Sequence, residues 1–356
     1  MGGKIKCSSG IKSGAHRLVL IDGNAILHRA YHALPPLTIR SGELVNAVYG
    51  FTTMLLKVIS DLKPKYLAVA FDTPKPTFRQ IEYVGYQAQR PEMEAELSSQ
   101  ISRVYEILKS MGIPIFEKEG FEADDVIGTI ARQASEETKI LRDKDIKRRK
   151  RKAPSILVSK YPNIEVIIVT GDRDMMQLVG PKIMVYAPIR GLSEAQFFDE
   201  EKVEEKIGVK PWQISDFKGL TGDASDNYPG VPGIGPKTAV LLLKRFGTLE
   251  KLYKNLSEVG RYFNPSVVGK LSQGEELARI SKKLATIVTD VPLKVDLEKC
   301  KFEFSDEERQ QTIKKLEELR FKSLVERLKK PATPAFAKAT AGRQRAQRGG
   351  GQLKLV

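Results

Sequence analysis

Nine carboxylates stand where a fold could bring them together. Asp22 closes the apolar run LVLID, Asp72 closes LAVAFD, and Asp172 and Asp174 follow IEVIIV in VTGDRD. Glu122, Asp124 and Asp125 lie in GFEADDVIGTIA, just ahead of the apolar Val126, Ile127 and Ile130, and Asp223 and Asp226 are spaced i, i+3 in TGDASDN. In an open parallel sheet the C-terminal ends of strands face one crevice, and a helix start favours negative charge in its own right. Two like charges about 4 Å apart repel by roughly 4 kcal/mol at an effective dielectric of about 20, so such a cluster needs cations. With two cysteines (Cys7, Cys300) and three histidines (His16, His28, His32), there is no disulfide framework and little for a Cys/His zinc site. Hard oxygen donors point instead to Mg²⁺ or Mn²⁺, and their number exceeds what one ion uses, which predicts a two-metal phosphodiester site. An Asp after a strand is often only a turn residue or helix cap; four such clusters in register are harder to explain that way. Neither GDRDMM nor GDASDN has the ligand spacing of a calcium-binding EF-hand.

The elements that must position these groups follow from periodicity. Arg17–Ile21, Tyr66–Phe71, Ile113–Phe116 and Ile164–Val169 read as buried strands. Between them, Val48, Phe51, Leu55, Val58 and Leu62 recur at helical spacing, as do Leu97, Ile101, Val104, Leu108 and Met111. The alternation predicts an α/β fold with a mostly parallel sheet. From about Pro211 strand signals give way to helices separated by Gly, Pro and Asn. A capping box, Ser305 with Glu308, opens a last helix with Ile313, Leu316, Leu319 and Leu324 on its apolar face. The expected organisation is a basic N-terminal extension (1–16), an α/β core (17–210), a helical region (211–330) and a disordered basic tail (331–356), with a mobile basic loop at about 135–160.

The net charge of +15 is carried mainly by appendages: +4 over residues 1–17, +7 over 139–152 and +5 over 331–356, which leaves a nearly neutral body. That pattern suits a polyanionic partner or, equally, solubilising tails. GVPGIGPKT at 230–238 is not a nucleotide-binding P-loop, because Pro236 splits the Gly-Lys pair and no buried strand precedes it. As a hairpin between short helices it would let Gly233 and Gly235 bring backbone amides to a phosphate, with Lys237 adding charge, a contact that grips a duplex without reading bases. Arg79, Tyr83, Tyr86 and Arg90 in TFRQIEYVGYQAQRP mix phosphate-clamping and base-stacking side chains. No run of about 18 apolar residues suggests a membrane span, and a cytoplasmic protein is expected.

In this order, LVLIDGNAILHRAYHALPPL, FDTPKPTFR, GFEADDVIGTIA, TGDRD, GDASDNYPGVPGIGPKTA and LATIVTDVPL resemble the 5′ nuclease family over about Arg17 to Leu328. The family includes the exonuclease domain of bacterial DNA polymerase I, its free-standing relatives, phage 5′ nucleases and flap endonucleases. The resemblance implies a nuclease core with two divalent metals, a helical arch (about 77–100) for a 5′ single strand, and a helix-hairpin-helix element for duplex, which in relatives also holds K⁺. By position, Asp22, Asp72, Glu122, Asp124, Asp125, Asp172, Asp174, Asp223 and Asp226 match metal-binding acids. Arg29, Arg79 and Arg90 match basic positions near the scissile phosphate. Tyr86, Gln87, Gly233, Gly235 and Lys237 match DNA-binding positions, with Gln87 standing where the family usually has Lys. The implied activity is a 5′-3′ exonuclease and flap endonuclease on flapped, nicked or branched DNA, with RNA primers on DNA as further substrates. A monomer at the bacterial nucleoid is implied, free-standing or separated from a longer polymerase. Its rivals are an inert branched-DNA-binding protein and a related metal-dependent ribonuclease.

Overall fold

The computed structural model describes residues 16–135, 164–190 and 194–330. Apart from His16 and Ser135, the basic extension, the basic loop and the tail lie outside the described residues.

Alternating apolar side chains build the sheet. Along β1 (His16–Asp22), Leu18 and Leu20 pack to one face and Val19 and Ile21 to the other. β2 (Tyr66–Ala70) repeats this with Ala68 and Ala70 against Leu67 and Val69, and β4 (Ile164–Val169) with Val166 and Ile168 against Ile167 and Val169. Strands covered on both faces read as continuous apolar runs, which is why these were legible. With β3 (Ile115–Phe116), β5 (Ile183–Arg190) and β6 (Glu194–Phe198) the order is β3-β2-β1-β4-β5-β6, parallel except for β6 against β5. The chain runs outward from β1 to β3 and then returns to the far side of β1. The order therefore reverses between β1 and β4, whose pairing ends at Ile21↔Val169. In sheets of this kind the reversal opens a crevice at the strand ends.

One face is covered by α5 (Ala123–Ser135) and by the helical region containing α6 (Ile214–Thr221), α7 (Pro236–Phe246), α8 (Pro265–Gln273) and α9 (Glu275–Ala285). The other is covered by α1 (Gly23–Ala33), α2 (Asn46–Leu62) and α4 (Ile101–Ser110), the short α3 (Phe78–Glu82) lying between β2 and the second stripe. The Ser305–Glu308 capping box forms, with Ser305 N–H donating to Glu308 Oε2 at 2.8 Å and Glu308 N–H to Ser305 Oγ at 3.2 Å. The segment it opens is two helices, α10 (Asp306–Glu318) and α11 (Lys322–Lys329), broken where Arg320 turns left-handed (φ 57°). Both pack on the α2 face, away from the rest of the helical region.

Two local readings are corrected. β5 and β6 were missed because Pro188 interrupts the apolar pattern; the ladder shifts register between Pro188 and Arg190, and an edge pair tolerates this. The Leu97–Met111 stripe is split, with Leu97 on a separate turn (Ala95–Ser98) and Gln100 at the joint.

Gln100 explains how α2 starts without a capping side chain of its own at Val45. Its Oε1 accepts from the Ala47 and Val48 N–H groups at 2.9 and 3.3 Å, and its Nε2 donates to Asn46 Oδ1 at 3.2 Å and to the Glu96 carbonyl at 3.1 Å. The side chain is 1% exposed, so no water would replace it. Gln100→Leu is expected to cost roughly 2–3 kcal/mol, as buried amides left without acceptors do. Urea unfolding should show a lower midpoint with an unchanged slope.

Candidate active site

The reversal between β1 and β4 is tied by side chains. Asp22 ends β1 and caps α1, its Oδ1 accepting from Ala25 N–H at 2.9 Å and its Oδ2 from Thr170 Oγ1 at 2.7 Å. Thr170 Oγ1 accepts from Asp172 N–H at 2.9 Å, and Asp172 Oδ1 from Asp174 N–H at 2.8 Å. On the other side of β1, Asp72 Oδ1 accepts from Ala123 N–H at 2.7 Å at the start of α5, and Asn24 Oδ1 accepts from the Asp72 N–H at 2.9 Å. The result is a cleft of about 270 Å³ lined by Asp22, Asp72, Glu122, Asp124, Asp172, Asp174 and Asp226. Asp223 stands beside it: donor oxygens of Asp174, Asp223 and Asp226 lie within 4.8 Å of one another.

Asp223 and Asp226 are delivered by a loop that only glycine can close. Gly222 (φ 70°) and Gly230 (φ 61°) touch backbone to backbone, and a Cβ on Gly230 would fall 2.1 Å from the Gly222 nitrogen. Asp223 and Tyr228 complete the closure by exchanging backbone hydrogen bonds at 2.9 and 3.1 Å. The connection then continues through Gly233 (φ 79°) to Gly235, the N-cap of α7, whose first residue is Pro236. Gly233, Gly235 and Lys237 are exposed, and the Gly233 carbonyl accepts from Lys270 Nζ at 3.2 Å.

Burial and mutual repulsion shape the acids. Burial pushes the Asp22 carboxyl up to about 7, assisted by Asp72 and Asp172. Burial likewise raises Glu122 to about 7 and Asp174 to about 6, in each case against a neighbouring cation, Arg79 or Lys218. Asp124 is held well above the ordinary range by burial and by Asp22, Asp172, Glu122 and Asp72. Asp223 alone goes the other way, because hydrogen bonds from Lys218 and Ser225 outweigh its burial. A cleft whose candidate ligands are carboxylates, with His28 the one imidazole in its lining, and which resists its own ionisation suits hard divalent cations.

Several expected site residues have other work. Arg79 is 2% exposed and every one of its five N–H groups is taken. Nη1 donates to Asp125 Oδ2 (2.7 Å) and Glu122 Oε2 (3.1 Å), Nη2 to Asp125 Oδ1 (2.8 Å) and the Thr286 carbonyl (2.9 Å), and Nε to the Leu284 carbonyl (2.8 Å). It has no donor left for a phosphate. Asp125, fully buried, spends its oxygens on Arg79 and on the Glu122 and Val288 N–H groups, so it faces away from the cleft that Asp124 lines. Tyr86 is 5% exposed, stacks on Tyr228 (6.4 Å, 9°) and donates to Glu122 Oε2 at 3.3 Å, which leaves no face for a base. Gln87 adopts a left-handed backbone (φ 54°), and its Nε2 donates to Asp226 Oδ1 at 3.0 Å rather than into open cleft. Arg90 is exposed at the cleft, and half-buried Arg29 lies on α1 outside its lining. Thr170, Asn24 and Lys218 were missed, since nothing in their spacing marks them; each is recognisable only once β1, β4 and α6 are side by side.

Two outcomes follow. Removing one partner of a buried ion pair typically costs about 3–5 kcal/mol, so Arg79→Met or Asp125→Asn is expected to lower stability by that order in denaturant melts, whereas Asp124→Asn should not. The second concerns pH. Folded values near 7 for Asp22 and Glu122, against about 4 when unfolded, mean that the folded chain holds the extra protons between those values. The stability these acids contribute is full below about pH 4 and is lost as pH rises through 7. Metal-free protein should therefore melt lower at pH 8 than at pH 6, and Mg²⁺ should restore more at pH 8. An equal Mg²⁺ shift at both pH values would contradict this.

Residues 17–148 match the 5′-3′ exonuclease N-terminal resolvase-like domain, and residues 209–308 the 5′-3′ exonuclease C-terminal SAM fold. DNA polymerase I of Bacillus caldotenax is 38% identical over 317 residues, 89% of this chain but 33% of that protein. The chain thus spans about a third of the length of such polymerases. A 5′-3′ exonuclease of Aquifex aeolicus is 35% identical over 313 residues, 88% of this chain and 95% of the relative. A bacteriophage T5 flap endonuclease solved with DNA and metal ions shares the fold, with a TM-score of 0.56 at 19% identity over 85% of this chain and 98% of that one. Among the described residues no helix is long and apolar enough to cross a membrane. With both halves matched in order, a near full-length relative, and acids from both halves meeting in one cleft, the chain belongs to the 5′-3′ exonuclease family.

Proposed function

We propose that this chain hydrolyses DNA phosphodiesters at 5′ flaps and at nicked or branched duplex, with two Mg²⁺ or Mn²⁺ ions held in the acidic cleft. What supports this most is the continuity of residues 222–235. The first part of that connection carries Asp223 and Asp226 to the cleft, and the last part presents Gly233 and Gly235 at the start of α7. A duplex whose phosphate rests on these exposed amides and on Lys237 is thereby held at a fixed reach from the acids, without base readout. A K⁺ ion at this hairpin would share the Gly233 carbonyl with Lys270.

Asp22, Asp72, Glu122, Asp124 and Asp172 would hold one ion, and Asp174, Asp223 and Asp226 the other. Bound there, divalent cations lower the pKa of water and offset the charge that develops on the leaving 3′ oxygen. The protein's own part is to fix those carboxylates through Thr170, Ala25 and Ala123, and to leave Arg90 as an exposed cation at the cleft for the incoming phosphate. With Arg79 committed to Asp125, Arg90 is the arginine that the cleft lining offers for that role, while Arg29 would have to reach the phosphate from α1, outside the lining. The same reading makes the protein a monomer acting in replication and repair at the nucleoid, with RNA primers on DNA among its substrates.

A labelled 5′-flap duplex tests this. With Mg²⁺ the protein is expected to cut near the junction and release the 5′ strand. Asp124→Ala should lower the rate by roughly a hundredfold or more, as the loss of charge stabilisation does, while flap binding in Ca²⁺ is retained. A protein that binds the flap and leaves it whole with either metal would instead be an inert branched-DNA-binding protein.

A further inference from the structure

Asp174, Asp223 and Asp226 have donor oxygens within 4.8 Å of one another, a spacing at which carboxylates repel. Lys218, near the end of α6, accounts for their closeness: its Nζ donates to both Asp174 Oδ1 and Asp223 Oδ2. The Gln87 amide engages the third acid, through Nε2 to Asp226 Oδ1 at 3.0 Å. On the other side of the cleft, Asp22 and Asp72 are held differently, by the Ala25 and Ala123 N–H groups and by Thr170.

We propose that Lys218 is the resident counter-ion of the Asp174–Asp223–Asp226 cluster, and that a second divalent cation enters only by displacing the Lys218 ammonium. This rests on the two-ion reading above. An ammonium carries one charge and donates in at most three directions, whereas a divalent ion brings two charges and takes six or more oxygens. The exchange is thus favourable yet opposed, because the ammonium already satisfies two of the three acids. The cluster stays assembled without metal, and its ion binds more weakly than the one held by Asp22, Asp72 and Asp124. One buried hydroxyl faces the same charges: Tyr228 is 3% exposed, its hydroxyl has no hydrogen-bond partner among the described residues, and it lies in the field of the same three carboxylates.

The test needs neither DNA nor turnover. Metal-free protein is titrated with Mn²⁺, and free ion is followed by electron paramagnetic resonance. Two ions should bind, the second more weakly. If Lys218 holds the cluster about nine-tenths of the time, Lys218→Met should tighten the second dissociation constant about tenfold and leave the first unchanged. Lys218→Arg, which keeps the cation, should leave both as they are. Two ions in every protein with the same second constant would overturn the role of Lys218 alone. A single ion in both wild type and Lys218→Met would overturn the two-ion reading as well. Wild-type protein gives an independent readout should Lys218→Met not fold: in ¹⁵N-lysine spectra, assigned with Lys218→Arg, the ordered Lys218 ammonium signal should be lost with the second equivalent of Mg²⁺ and not the first. Its persistence at saturating Mg²⁺ would refute displacement.

Discussion

The bidentate pair between Arg79 and Asp125 is the interaction on which the rest of the molecule depends. It joins three parts of the chain: α3 after β2, the start of α5, and the C-terminal end of α9 with the residue that follows it, whose Leu284 and Thr286 carbonyls take two of the remaining donors. Around it the 284–291 segment is stitched to the core by Val288 N–H on Asp125, Val291 N–H on Thr129, and Gln177 bridging the Ala285 carbonyl and Ile287 N–H. Gly128 permits the approach, since a Cβ there would lie 2.8 Å from Ile287 Cγ2. A buried ion pair adds little net stability compared with apolar packing, but it admits only one geometry. Here that geometry sets the distance between the sheet and the helical region, and so between the acids each contributes.

A second constraint opposes the first. The strand ends and the α5 start bring like charges together at the reversal between β1 and β4, and the raised carboxyls of Asp22, Glu122 and Asp174 record the cost. The fold meets it by giving the carboxylate oxygens fixed donors, such as Ala25, Thr170, Ala123 and Ser225. Charge-assisted bonds of this kind are roughly twice as strong as neutral ones. The acids are thus held in place before any cation arrives, which is what a metal site needs to bind without reorganising its ligands.

The sheet and most of the acid cluster were legible because they rest on local rules. Continuous apolar runs marked β1, β2 and β4, and an Asp after each run marked the crevice. What was not legible depends on partners far apart in sequence. Asp124 and Asp125 are adjacent and chemically identical, yet helical rotation aims one at the cleft and the other at Arg79, 46 residues away. Arg79 itself looks like a phosphate clamp until the Leu284 and Thr286 carbonyls are placed against it. Gln100 capping α2 and Thr170 bridging Asp22 to Asp172 are of the same kind: polar side chains with no pattern, assigned only by what surrounds them.

The segment at 83–90 shows how far this reaches. It was expected to offer Tyr86 and Gln87 to a strand, as part of an arch. Instead Tyr86 stacks on Tyr228, Gln87 donates through both its backbone and its side chain to Asp226, and Asn227 Nδ2 donates to the Gly85 carbonyl at 2.8 Å. Both Gln87 and Asn227 adopt left-handed backbones, so the two turns fit by matching irregularities and not by a regular ladder. Three hydrogen bonds at about 1 kcal/mol each and a ring pair at about 1 kcal/mol make a junction of only a few kcal/mol. That is enough to order the Asp226 loop in the free protein, and small enough for the binding energy of a polyanion to open. The position of Asp226 is therefore set as much by residues 85–87 as by its own loop, and the arch segment and the second carboxylate cluster behave as one mechanical unit.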